Sequence, residues 1–124
     1  MTSRLLVVAG GLCGATGVAL SAAAAHAGGD NLGIAASFLL MHAPVFLATG
    51  LLRAGRPLRA GGFILLFGLL IFAGDLLTRH YTGSRLLPMA APVGGVLMIL
   101  GWFTVAISGF ASSIGELRDE NEAP

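Results

Sequence analysis

The chain has 124 residues, of which 56% are hydrophobic and 10% charged, against about 25% charged in an ordinary soluble domain. Seven basic and six acidic residues leave a net charge of +1, which excludes a strongly basic face for nucleic acid. One domain is the limit at this length, and a single cysteine, Cys13, excludes an intrachain disulfide.

Four apolar blocks follow one another: residues 5–25, 32–52, 60–78 and 86–111. Each meets the roughly 20 residues that a helix needs to cross a bilayer core, and Asp75 is the one charged side chain within them. Hydrocarbon offers the backbone no partners, and four segments with short links cannot close a barrel, so the spans are predicted to be helices. The expected fold is an all-α antiparallel four-helix bundle in the membrane.

The first block begins after Arg4 and ends in Ala25-His26-Ala27-Gly28, which imitates a secretory signal with a small-residue cleavage site. Its apolar run is longer than a usual signal core, so it is expected to stay as the first span. Leu12 before Cys13 departs from the small residue that a lipoprotein site requires. Gly10, Gly14 and Gly17, continued by Ser21 and Ala25, form a stripe of small residues suited to close helix contact. The turn to the second block is Gly28-Gly29-Asp30-Asn31.

The second block carries His42 near its centre, two residues before Pro44. Pro44 has no N–H to give to the carbonyl of Leu40. The imidazole is expected to bond a neighbouring helix or a freed carbonyl, with a proton relay or a metal or haem ligand as the chemical alternative. The connection that follows holds Arg53, Arg56 and Arg59.

The third block carries Asp75, with Arg79 one helical turn on. An ionisable residue inside a membrane is a functional candidate, and an Asp75–Arg79 ion pair at the boundary is the structural alternative. His26 ends the first span on the same side, so a His26–Asp75 approach is a second expectation. The third connection contains His80, Tyr81 and Arg85. The fourth block supplies Gly94, Gly95 and Gly101 for packing, with Pro88 near its start, Pro92 inside it and Trp102 as a packing residue. A stretch with four acids, residues 113–124, is expected to form a mobile cytoplasmic tail.

Four spans put both termini on one side. Arg4, Arg53, Arg56, Arg59 and Arg118 share that side, and Arg79 and Arg85 take the other. Basic residues in short loops stay cytoplasmic, so both termini are expected inside. The arginine-rich connection should lie against anionic lipid headgroups.

The run Val18-Ala19-Leu20-Ser21-Ala22-Ala23-Ala24-Ala25-His26 resembles the end of the first span in the small YgdD-like membrane proteins, domain of unknown function 423. The resemblance continues at His42-Ala43, Gly74, Pro92-Val93-Gly94-Gly95 and Gly101-Trp102, over roughly residues 1 to 112. It implies four helices in a bacterial inner membrane and no established reaction. The family pattern has glycines at Ser21 and Ala24, an aromatic at Ala23 and a small or hydroxyl residue at Asp75. His26 and His42 match it and are therefore the better candidates for a shared role.

The leading expectation is a non-enzymatic binding or accessory membrane component, in a homo-oligomer or with a membrane-protein partner, and with no cofactor or bound metal. The alternative is a transporter or channel for protons, metal ions or a small solute, lined by His26, His42 and Asp75.

Overall fold

The computed structural model describes the backbone of residues 2–52 and 54–122 and the side chains of residues 3–52 and 54–110. Its elements are four helices: α1 Thr2–Ala27, α2 Asp30–Leu51, α3 Arg56–Thr82 and α4 Ala90–Glu122. All four are long and apolar enough to cross a membrane.

The ends follow local chemistry. Two glycines alone turn α1 into α2, with φ of 72° at Gly28 and 115° at Gly29, backbone that other residues seldom adopt. Pro57 opens α3, where its missing N–H is harmless. Gly83 closes α3 in the left-handed conformation, its N–H donating to the carbonyl of Arg79.

Several boundaries differ from the sequence expectation; α3 runs from Arg56 to Thr82 rather than over 60–78, and both ends of α4 shift. The fourth helix starts at Ala90 rather than Leu86, because Pro88 and Met89, with a φ of 111°, interrupt the apolar run. Pro92 therefore lies in the first turn of α4 rather than in its interior, where its missing N–H breaks no helical bond. At the other end the backbone of α4 continues to Glu122. The acidic stretch expected as a mobile tail thus extends the helix, consistent with a run of residues 116–122 that contains no glycine or proline. Its side chains, and residues 123–124, lie outside the described residues.

The antiparallel bundle is built as two hairpins. The pair α1–α2 packs along its length, as does α3–α4, and the hairpins meet mainly through α2 and α3. Among the described residues α1 and α4 do not pack on each other. The core comprises Leu6 from α1, Phe46 from α2 and Leu65 and Leu69 from α3, all fully buried, with Met98 reaching in from α4. Large apolar residues on the outer sides of α1 and α4, such as Leu12, Val18, Phe103 and Ile107, are more than half exposed.

Inside each hairpin, glycines seven residues apart set the approach, the spacing that keeps one seam of a helix pair in register. In the second hairpin the fit is backbone against backbone. A Cβ at Gly68 would lie 2.8 Å from the carbonyl oxygen of Gly94, and one at Gly94 would lie 2.7 Å from that of Gly68. Gly61 and Gly101 repeat this contact with Val105 and Leu65. In the first hairpin Gly10 and Gly17 take up Leu47 and Leu40 of α2, and backbone also comes close: a Cβ at Gly10 would lie 2.9 Å from the carbonyl oxygen of Ala43, and one at Gly50 2.7 Å from that of Ser3. Of the glycines named from the sequence, Gly14 sits at an ordinary 3.8 Å from Ala43. A Cβ on Gly95 would meet nothing within 4 Å, so Gly95 packs against no other helix of this chain. Gly50, Gly61 and Gly68 were not singled out from the sequence, yet each is as tightly packed as those that were.

Candidate functional site

His42 is 3% exposed and sits in the middle of α2. Its Nδ1 lies 2.8 Å from the carbonyl oxygen of Phe38, one turn earlier. Its Nε2 lies 3.3 Å from the indole Nε1 of Trp102 on α4. An indole N–H only donates and a carbonyl only accepts, so both bonds form together only in the neutral tautomer that carries its proton on Nδ1. The imidazole thus donates to its own helix and accepts from the other hairpin. The carbonyl it uses is that of Phe38, not the Leu40 carbonyl released by Pro44. Phe38 stacks on the imidazole, and Phe46 and Trp102 flank it at ring-centroid distances of 6.3 and 5.8 Å. Trp102 is more than a packing residue: it is 43% exposed and spends its one donor on His42.

Asp75 is fully buried. One carboxylate oxygen accepts from the backbone N–H of Leu86 at 2.8 Å, and the other pairs with Nη2 of Arg79. The ion pair expected one turn apart is therefore present, with a second function: it anchors the α3–α4 connection. Asp75 lies seven residues before the end of α3, about 10 Å down the helix axis. Leu86 can meet it only if the connection folds back along α3. The Leu86 N–H, outside any helix, finds its acceptor in the buried Asp75 carboxylate.

His26 is exposed at the end of α1, and no bond joins it to Asp75. The histidine that packs against the α1–α2 turn is His80. It belongs to α3 rather than to a loop, and its ring lies where a Cβ on Gly29 would stand, 2.6 Å from that position. The sequence shows a reason only in hindsight: a Gly-Gly turn leaves room for a ring. His42 and Asp75 form two separate sites, one in the aromatic centre and one under the α3–α4 connection. Among the described residues no three of His, Cys, Asp or Glu gather as a metal cage.

The family described as "Protein of unknown function (DUF423)" matches residues 13–95, more than half of the chain. The chain belongs to this family. The matched stretch includes His26, His42, Asp75 and Arg79, and stops short of Trp102.

Similar proteins are bacterial membrane proteins. A UPF0382 membrane protein of Staphylococcus saprophyticus is 31% identical over 78 residues, covering 61% of this chain and 65% of that one. One from Staphylococcus epidermidis is 28% identical over 115 residues, covering 85% and 94%. One from Haemophilus influenzae is 30% identical over 77 residues, covering 60% and 62%. The aligned part thus spans about 65% of the first relative and nearly the whole of the second. No solved structure matches the chain. The four-helix membrane fold and the family agree, and neither carries a reaction.

Proposed function

We propose that this DUF423 protein is a non-enzymatic component of a bacterial inner membrane, with both termini cytoplasmic, that works by binding or assembly. One observation supports this above others: His42 and Asp75 are engaged within the chain, while the buried Nε of Arg79 has no hydrogen-bond partner. His42 uses both ring nitrogens, and Asp75 uses both carboxylate oxygens. A group that relays protons or holds a substrate needs a free position, whereas groups that pin helices together do not. The outer sides of α1 and α4 offer long apolar faces to lipid or to a partner.

The reading is tested by purifying the protein in mild detergent, identifying what accompanies it by native mass spectrometry, and measuring proton and metal-ion flux in proteoliposomes. A stoichiometric partner or homo-oligomer with no flux above empty vesicles is expected. A flux that His42→Ala abolishes, with helicity kept, would replace this reading with transport.

A further inference from the structure

The fold-back held by Asp75 has a second product. It lays Leu86–Met89 against the side of the second hairpin, although these residues belong to a connection. Leu86, Leu87 and Met89 are 50%, 64% and 62% exposed. Together with Ile71 of α3 and Val93 of α4, the stretch Leu86–Ala90 lines a groove of about 390 Å³ whose wall is apolar throughout.

Two arginines lie near this groove without lining it. Arg85 immediately precedes Leu86 and is exposed, and the Arg79 side chain is 27% exposed. The nearby acid, Asp75, is fully buried and faces inward. Asp30 lies on the other hairpin, beyond the contact of His80 with Gly29. A guanidinium has five donors; the Nε of Arg79 is buried without a partner, so only its terminal nitrogens can serve a group outside the chain. Ile71 lies eight residues before Arg79, about 12 Å along the helix axis. A cation about 12 Å along the helix from an apolar groove has the spacing of a headgroup above an acyl chain.

We infer that this groove is a binding site for one anionic phospholipid of the leaflet nearest the α3–α4 connection. An acyl chain lies between Ile71, Val93 and Leu86–Met89, and the phosphate lies against Arg85 and Arg79. The site is independent of whether the protein works by assembly or by transport. The Met89 backbone, at a φ of 111°, is held in a conformation rare for a side chain of its kind, as expected where a connection is shaped to a task.

The test is native mass spectrometry of the full chain released from bilayers of equal phosphatidylglycerol and phosphatidylethanolamine with matched acyl chains. The wild type should retain a single phosphatidylglycerol about fivefold over phosphatidylethanolamine, the preference that one arginine near a headgroup supplies. Arg85→Gln, an exposed change that leaves the core alone, should lower that preference. Ile71→Trp, which fills the groove, should lower retention of both lipids while helicity stays native. Equal retention of the two lipids by the wild type overturns the inference. So does an unchanged preference in Arg85→Gln, or undiminished lipid in a natively helical Ile71→Trp. A lipid-free dimer that Ile71→Trp dissociates would assign the groove to a second copy and overturn it as well.

Discussion

The indole of Trp102 donates across the bundle to Nε2 of His42, joining α4 of the second hairpin to α2 of the first. The helices otherwise pair within hairpins, and the hairpins meet through α2 and α3. This bond therefore adds a directional link where apolar contact alone would let the hairpins slide. In lipid such bonds matter less than their surroundings suggest, averaging about 0.6 kcal/mol with a maximum near 1.7.

Removing either partner should lower stability by about 1 kcal/mol. Trp102→Phe keeps an aromatic ring but leaves Nε2 without its donor. His42→Leu removes both bonds and frees the indole N–H. His42→Asn can retain one bond and should fall between Leu and wild type. Unfolding in mixed micelles measures the order, and the emission of the chain's single tryptophan should shift in His42→Leu. A His42→Leu variant as stable as wild type, with unchanged emission, would remove the bridge from the account.

Asp75→Leu should release the α3–α4 connection. It takes the acceptor from Leu86 and the counter-charge from Arg79. Arg79→Gln should be the costlier single change, because it leaves a buried carboxylate without its cation. Breaking a buried pair from one side costs about 3–5 kcal/mol. Hydrogen exchange at Leu86 reads the first effect: its amide should be protected in wild type and exchange quickly in Asp75→Leu.

The glycine contacts divide cleanly. Gly68→Ala and Gly94→Ala would drive a methyl group into the opposing backbone, and each should cost about 1–3 kcal/mol. Gly95→Ala, with open space around it, should be neutral or slightly stabilising, because alanine favours a helix over glycine. Gly17→Ala should be milder than Gly68→Ala, since its nearest obstacle is the Leu40 side chain and the nearest backbone atom, the carbonyl oxygen of Ala36, stands at 3.2 Å. The same unfolding assay ranks all four.

The orientation expected from the arginines has a direct check. In a Cys13→Ser background, Gly55→Cys should react with a membrane-impermeant thiol reagent only after the cytoplasmic side is opened. Ser84→Cys should react from outside in intact cells. The reverse pattern would overturn the placement of both termini inside.

Four spans, their order and their antiparallel course were legible in the sequence, because a bilayer demands long uncharged helices and the charges fall between them. The Asp75–Arg79 pair was legible too, since residues one turn apart share a helix face. The sequence alone also brought out His42 as a polar group buried in the spans. Its partners depended on the tertiary structure: Trp102 stands 60 residues away, and neither helical period nor spacing brings it to α2. The same holds for Leu86, whose N–H reaches Asp75 only through the fold-back, and for His80 against Gly29. Apolar pattern reports which residues leave water; in lipid it is nearly uniform around each helix, so it does not report which faces meet. That was decided by where glycines let backbones touch and where single polar groups found a partner.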